Sequence, residues 1–250
     1  RAAGSRRVCV APLPRGAGCP GLSPGAGAWW WRGGGRLLAF AGAAVPPGYT
    51  TGLPRGMLAP VHRLFRARSR SAGLGQADLV FVIGVPLDFR LNWGQAPVLD
   101  DQAKIVYVDA DDFRKHREPA AALYGDIAKA LAALAEACRD TPRHDGWLAE
   151  LVTKEAAARE RDRPLFESGS TPIHPARLVA EVGTFLDPDA LVVGAGGDSL
   201  RFARRFLDRP GPGQFIHPAP FASLAPGTAP ARAAAPPPPT RRPVLAHAPG

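Results

Sequence analysis

Short apolar runs that end at glycine or aspartate constrain the fold of this chain more than any other feature. The run Leu79–Gly84 has the sequence LVFVIG, and Ile105–Val108 has the sequence IVYV. Neither alternates apolar with polar residues, which favours strands of a parallel sheet covered on both faces. Ala190–Val193 is a third run of this kind. Because helical segments separate the runs, the pattern predicts an α/β fold with a Rossmann-like parallel sheet.

The segments between these runs carry helical patterns. Ile127–Cys138 places Leu131, Leu134 and Cys138 on one face, and Asp126 is expected to cap the N-terminus of this helix. Further helices are predicted over Gly35–Ala44, before Leu79, over the charged stretch that begins DGWLAELV, and after His174 and Pro175, with a short strand near Tyr49–Thr51.

Charge is distributed unevenly, although the 250-residue chain has a formal net charge of +9. Residues 1–77 and 209–250 contain arginine and no acidic residue, so every acid lies in the central segment, 78–208. A basic total often indicates nucleic acid or anionic lipid as partner. Because the globular centre is acidic, we expect neither a nucleic-acid partner nor a membrane partner.

The cysteines and the ends of the chain indicate its environment. Cys9, Cys19 and Cys138 form neither a metal-binding spacing nor an even disulfide set, which favours a reducing, cytoplasmic location. No run approaches the ~18 apolar residues that a membrane span needs. The sequence does not begin with methionine, and we expect it to be a fragment.

A glycine-rich turn after the third apolar run is one candidate site. Gly194–Gly197 leads into a predicted helix, and such turns can direct backbone N–H groups at a phosphate. The third glycine of a dinucleotide fingerprint would fall at Ser199, so from the turn alone we favour a tight connecting turn over a phosphate site.

A second candidate lies where the other two runs end. Asp88, Phe89 and Arg90 follow the first run, at the sheet edge where ligands of α/β proteins bind. Arg90 could contact a ligand phosphate or simply pair with Asp88. Asp109 could accept hydrogen bonds from a ribose or cap the next segment, and we favour the cap.

Several phrases, taken in order, resemble the thiamine-diphosphate-dependent enzymes of the acetolactate synthase type, and in particular the acetolactate synthase-like and 2-hydroxyacyl-CoA lyase-like branch. They cover roughly residues 25–227. The phrases are TTGLPRGMLAPVHRLFRARSRSAGLGQADLVFVIGVPLDFRLNWG, KIVYVDAD, YGDIAKALAAL, PIHPARLVAEV, LVVGAGGDSLRFARRFL and HPAPFASLAPG.

This resemblance implies a domain organisation. Residues 16–165 match the family's central domain, 166–170 form a linker, and 171–227 match the start of the diphosphate-binding domain. Residues 1–15 are a basic, unassigned segment. Residues 228–250 are rich in proline and alanine, and we expect them to be disordered or extended.

The resemblance also implies a function. The family forms or cleaves carbon–carbon bonds in a 2-keto acid or a 2-hydroxyacyl thioester, as transferase or lyase, with thiamine diphosphate and magnesium, in homo-oligomers. Cofactor contacts are implied for Gly197, Asp198, Ser199, Ser223 and Leu224. In flavin-containing members, the loop that matches Asp88, Phe89 and Arg90 lies beside FAD.

The sequence also departs from the family pattern. The activating glutamate and the Gly-Asp-Gly magnesium motif have no match, so no catalytic or metal-binding residue is assigned. Ala219, Ala222, Ala225 and Pro226 occupy a stretch that is glycine-rich in relatives. We therefore expect no independent catalysis, and the alternative function is a non-catalytic FAD-binding or subunit-assembly module.

Overall fold

The computed structural model describes most of the central chain in two compact units. Unit 1 comprises Arg1–Pro54 and Arg63–Glu155, and unit 2 comprises Arg55–His62 and Ala156–Gly250. The described residues are 18–25, 34–44, 47–49, 55–58, 60, 62–111, 116–141, 144–208, 211–217 and 243–246. The division at Glu155 falls inside a helix. The linker expected at 166–170 stays a prediction.

Four parallel strands form the sheet of unit 1. They are β1 (Pro20–Pro24), β2 (Leu79–Ile83), β3 (Lys104–Asp109) and β4 (Ala121–Tyr124), in the order β1-β2-β3-β4. The register of β2 with β3 pairs Leu79 with Lys104 and Ile83 with Val108. The predicted parallel sheet is therefore confirmed, and every residue of β2 is buried as expected.

Isolated bridges extend this sheet beyond β1. Gly48 pairs in parallel with Leu22 of β1 on one side and with Phe65 on the other. The sheet therefore has six pairing positions, which in chain order are β1, Gly48, Phe65, β2, β3 and β4. Their spatial order is 3-2-1-4-5-6, which is the order of dinucleotide-binding sheets. The strand predicted near Tyr49–Thr51 is instead this single bridge at Gly48, while residues 50 and 51 lie outside the described part of the chain.

Helices and a long connection cover the two faces of this sheet. On one face, α1 (Gly34–Ala44) packs with α3 (Ile127–Ala137), and Phe40 contacts Phe81 edge-on at a ring distance of 4.9 Å. On the other face, α2 (Arg70–Gly75) and residues 85–99 cover Val80, Val82, Ile105 and Tyr107.

Buried acids and caps fix the helices of unit 1. Asp126 caps α3 as predicted, because its carboxylate accepts a hydrogen bond from the Lys129 N–H at 3.0 Å. The long helix α4 (Asp145–Phe166) carries Glu155, which is buried and accepts from the N–H groups of Arg68 at 2.9 Å and Ser69 at 2.8 Å. The glutamate thus satisfies backbone donors immediately before α2.

Unit 2 contains a smaller parallel sheet. Its strands are β5 (Leu191–Gly194), β6 (Phe215–Ile216) and β7 (Pro243–Ala246), in the order β6-β5-β7, and its helices are α5 (Pro175–Phe185) and α6 (Gly197–Phe206). His174 caps α5 by accepting from the Ala176 N–H at 3.2 Å. None of the described helices is long and apolar enough to cross a membrane.

The strand β7 corrects one expectation. Residues 228–250 were expected to be disordered or extended polyproline, yet Pro243–Ala246 pairs with the whole of β5. The physical reason is local sequence: beyond the four prolines and the Thr-Arg-Arg that follows them, the chain reads Pro-Val-Leu-Ala, which is apolar and can pair with the second edge of β5. A proline at the first position of a strand is tolerated.

Arg55 contributes to unit 2 although it lies far from the rest of that unit in sequence. Its guanidinium donates to the Leu207 carbonyl at 2.8 Å and to the Arg204 carbonyl, both at the C-terminal end of α6. It also lies 4.7 Å from the centroid of the Phe215 ring. Burial lowers the pKa of Arg55 to about 10, and the charge remains to complement the helix C-terminus.

Two glycines in helices of unit 1 provide a matched test of this packing. A Cβ at Gly73 of α2 would lie 1.6 Å from the hydroxyl oxygen of Tyr49, which is buried and cannot retreat. A Cβ at Gly42 of α1 would meet nothing within 4 Å. We expect Gly73→Ala to lower the free energy of unfolding by about 1–3 kcal/mol, and Gly42→Ala to raise it by about 0.5–1 kcal/mol.

Urea denaturation of the two variants and the unsubstituted chain measures both effects. Equal stability of Gly73→Ala and the unsubstituted chain would contradict the packing of Tyr49 against α2.

Candidate functional site

The carboxyl ends of β1 and β2 meet at the point where the strand order reverses, which is where α/β sheets bind ligands. The backbone there is closely packed. The Gly25 N–H donates to the Ile83 carbonyl at 2.8 Å, and a Cβ at Gly25 would lie 2.3 Å from that of Val85. Gly84 has a φ of 59°, which favours glycine. These glycines turn the chain at the sheet edge.

Asp88 and Arg90 form an ion pair immediately after this turn. The Asp88 carboxylate accepts from the Arg90 backbone N–H at 2.9 Å, from Nε at 3.0 Å and from the terminal guanidinium nitrogen at 2.6 Å. Burial by itself raises the pKa of Asp88, but the hydrogen bonds and charge of Arg90 outweigh it and hold the pKa below the usual value. Of the two alternatives for Arg90, the structure contains the pair with Asp88.

The segment that follows is a strained turn with exposed aromatic rings. Phe89–Gly94 forms a short 3-10 segment in which Asn92 and Trp93 have φ values of 47° and 52°. Such conformations are costly for residues with side chains and recur at ligand sites. Phe89 is 59% exposed and Trp93 41% exposed, so two aromatic side chains face solvent at this edge.

Arg117 holds the connection from this turn to β3. Its guanidinium donates to the carbonyl oxygens of Gly94 at 2.8 Å, Asp100 at 2.7 Å and Asp101 at 2.9 Å, and also to that of Ala103. One planar side chain therefore satisfies carbonyls along ten residues of irregular backbone. This contact fixes the far end of the strained turn.

Tyr107 and Asp109 lie at the end of β3. The Tyr107 hydroxyl is 3.0 Å from the Val85 carbonyl oxygen and 3.1 Å from Asp109 Oδ2, while Asp109 Oδ1 accepts from the Ala110 N–H at 2.7 Å. Burial, and then the negative charge of Asp109, raise the pKa of the Tyr107 phenol. Asp109 thus accepts from the next residue, as favoured, and remains half-exposed at the edge.

The glycine-rich turn of unit 2 has the predicted form. The strand β5 ends at Gly194, and α6 begins at Gly197, which has a φ of 78°. Its N-cap is Gly196, which has no side chain to accept from the first N–H groups of the helix. Ser199 Oγ is buried without a hydrogen-bond partner among the described residues, whereas Asp198 is exposed and lies 3.4 Å from Arg201.

These donors suit a phosphate better than a metal ion. Unpaired backbone N–H groups at a helix N-terminus and a serine hydroxyl are the groups that hold phosphates. Over the described ranges, no three His, Cys, Asp or Glu side chains gather into a metal-ligand set. The implied contacts at Ser223 and Leu224 lie outside the described residues.

The predicted residues are divided between the two units. Asp88, Phe89, Arg90 and Asp109 share the carboxyl edge of unit 1, and Gly197–Ser199 lie in unit 2. Sequence reasoning missed Tyr107 and Arg117. For Tyr107 a signal existed, because residues two apart in a strand share a face, so its side chain had to point the same way as that of Asp109. The partners of Arg117 within the described ranges are backbone carbonyls, which leave no sequence pattern.

Comparisons of the sequence with a family model and with curated proteins point to the same enzyme family. Residues 15–134 match the family model of the thiamine pyrophosphate enzyme central domain. A probable acetolactate synthase of Mycobacterium bovis is 36% identical over 228 residues, which cover 90% of this chain and 41% of that protein.

The second group of relatives is named for a lyase reaction. The 2-hydroxyacyl-CoA lyase 2 of Xenopus laevis is 30% identical over 72% of this chain, and that of Homo sapiens is 28% identical over 77%. The matched regions span 30% and 31% of these proteins, so the chain corresponds to less than half the length of its curated relatives.

The pair of Asp88 and Arg90 predicts a defined pH dependence. Because the folded-state pKa of Asp88 is lowered, the pair stabilises the fold above the unfolded-state pKa of about 3.9, and this contribution is lost as the pH falls through the folded-state value. We expect Asp88→Asn to lower the free energy of unfolding by about 0.5–1 kcal/mol at pH 7. The difference should stay constant down to about pH 4 and shrink below it.

Urea denaturation between pH 7 and about pH 2.5 measures the difference in the free energy of unfolding between Asp88→Asn and the unsubstituted chain. In an Arg90→Gln background, Asp88→Asn should have a smaller effect, because only the backbone hydrogen bond remains. A difference that grows as the pH falls below 4 would contradict the assigned sign.

Proposed function

The chain belongs to the thiamine pyrophosphate enzymes through the central domain in residues 15–134, and we propose that it is part of a carbon–carbon ligase or lyase of the acetolactate synthase type. Similarity over 90% of the chain, well beyond the central domain, supports this. The proposed substrates are a 2-keto acid or a 2-hydroxyacyl thioester, and the proposed assembly is a homo-oligomer. Bound thiamine diphosphate would supply the nucleophile and electron sink.

We propose that residues 171–227, which lie in unit 2, are the start of the diphosphate-binding domain. Gly197 and Ser199 would hold the diphosphate through backbone N–H groups and the Ser199 hydroxyl. The buried, unpaired Ser199 Oγ supports this role, because a buried hydroxyl without a partner is unfavourable unless a ligand completes it. Asp198 is already paired with Arg201 at the surface, which leaves it a secondary role. Magnesium stays a prediction from the resemblance.

We propose that unit 1 binds an adenine nucleotide, FAD in particular, at the carboxyl edge of its sheet. The observation that carries this proposal is the strand order 3-2-1-4-5-6. In the half formed by β2, β3 and β4, Asp109 ends the second strand, which is the position from which an acid binds ribose hydroxyls in such sheets. The exposed rings of Phe89 and Trp93 offer surfaces for a planar ring.

A second candidate function uses this site alone. The chain could serve as a non-catalytic nucleotide-binding module, which the gathering of Asp88, Phe89, Arg90 and Asp109 at one edge of unit 1 favours. The second function requires nucleotide binding, whereas the first requires thiamine diphosphate.

Titration calorimetry of the purified chain with FAD and with ADP tests the role of unit 1. We expect Asp109→Asn to weaken binding by about 1.5–3 kcal/mol, because the ribose would lose a charged acceptor. The control is Asp111→Asn, which removes the same charge from an exposed position two residues away and should leave the affinity unchanged. Failure of the unsubstituted chain to bind either nucleotide would refute this role.

Titration with thiamine diphosphate tests the role of unit 2. Ser199→Ala should weaken binding by about 0.5–1.5 kcal/mol, whereas Ser170→Ala, at an exposed position of unit 2, should have no effect. Equal affinities of Ser199→Ala and the unsubstituted chain would argue for the connecting-turn alternative. Formation of acetolactate from pyruvate by the chain alone would contradict the expectation that it is inactive.

A further inference from the structure

We infer that Tyr107 is a positioning residue that fixes the Asp109 carboxylate for a nucleotide ribose, an inference that rests on the proposed nucleotide-binding role of unit 1. The phenol oxygen lies 3.1 Å from Asp109 Oδ2 and 3.0 Å from the Val85 carbonyl oxygen. It therefore joins the end of β3 to the segment that leaves β2.

The ring of Tyr107 is held in the core and its hydroxyl alone reaches the edge. The side chain is 1% exposed and belongs to the same buried cluster as Val85, Leu87 and Leu91. A ring packed in this way cannot change rotamer without opening the core, so the position of its oxygen is set by packing. Asp109, two residues on, projects from the same face of β3.

The Tyr107 phenol has one proton to donate, and its acceptor can be inferred. The Val85 carbonyl and the Asp109 carboxylate, which lie within hydrogen-bonding distance of the hydroxyl in the described part of the chain, are both acceptors, since neither the carbonyl nor an ionised carboxylate carries a proton. An ionised carboxylate is the stronger acceptor, so the phenol donates to Asp109. The raised pKa of Tyr107 means that the phenol keeps this proton throughout the neutral range.

The result is a carboxylate that is oriented through both of its oxygens. Oδ2 accepts from Tyr107, and Oδ1 accepts from the Ala110 N–H at 2.7 Å. Each carboxylate oxygen can accept a further hydrogen bond. Asp109 therefore keeps two acceptor positions in fixed directions, which is what a pair of ribose hydroxyls requires. Because these acceptor positions are already fixed in the free protein, ligand binding does not lose the conformational entropy of ordering the carboxylate.

A structural role alone makes a different prediction. If the hydroxyl served only the Val85 carbonyl, its removal would lower stability and leave the energetic contribution of Asp109 to binding unchanged. If it positions Asp109, the effects of removing the two groups are coupled. A double-mutant cycle distinguishes these cases.

The experiment uses the full chain with ADP as the probe and calorimetry as the measurement. Tyr107→Phe keeps the ring and removes the hydroxyl, and we expect its Kd to rise roughly five- to twentyfold. Asp109→Asn should weaken binding at least as much, and the double variant should bind no worse than Asp109→Asn alone. Tyr49→Phe is the matched control: its hydroxyl is also buried but contacts Ser69 and α2, so its Kd should stay unchanged.

Each outcome bears on one proposal. If the unsubstituted chain does not bind ADP, the nucleotide-binding role fails and this inference falls with it. If it binds ADP and Tyr107→Phe binds equally well, this inference alone is overturned. Additive losses in the double variant would also overturn it, because Tyr107 would then act without Asp109.

A second measurement covers the case in which Tyr107→Phe does not fold. The chain has three tyrosines, so NMR of tyrosine labelled with 13C at Cζ gives three signals. Tyr49→Phe and Tyr124→Phe assign two of these signals, and the third then belongs to Tyr107. We expect Asp109→Asn to shift the Tyr107 signal, because the acceptor of its hydroxyl changes from a charged to a neutral oxygen. An unshifted signal would show that the phenol does not donate to Asp109.

Discussion

The pairing of β2 between β1 and β3 is the constraint on which unit 1 depends. All five residues of β2 are buried, so its backbone groups have no access to water and must be satisfied by the two neighbouring parallel strands. Parallel pairing in turn requires long connections that return to the same edge, and these connections form the helices on both faces. The same geometry brings Gly25, Gly84 and Asp109 to one edge, where the candidate nucleotide site lies.

Much of this fold could be predicted from the sequence, because the core strands are apolar throughout and their helices have clear caps. Leu79–Ile83, Asp126 and the turn at Gly194–Gly197 were identified in this way. Strand β1 was missed because its residues, PGLSP, include two prolines and have low strand propensity. Its place in the sheet is decided by tertiary contacts with Leu79–Ile83, which no local pattern reveals.

The candidate site was predictable to a smaller extent. Asp88 and Arg90 lie in the segment that leaves β2, and Asp109 is the last residue of β3, so strand prediction also located them. Their partners depend on side-chain geometry: the sequence left open whether Arg90 paired with Asp88. The four carbonyls that Arg117 binds belong to residues 14 to 23 positions before it in the chain. Such side-chain-to-backbone contacts have no sequence signature because every residue has a carbonyl.

The assignment of residues 55–62 to unit 2 has a consequence for the evolution of such chains. Arg55 binds the carbonyls that end α6, yet unit 1 supplies the residues before it and after His62 in sequence. Neither unit is therefore encoded by one uninterrupted stretch of gene. A recombination event with a crossover at Glu155 would replace most of unit 2 but retain the original arginine segment. Such an exchange would then favour relatives whose helix equivalent to α6 ends in carbonyls that can accept hydrogen bonds from the retained Arg55.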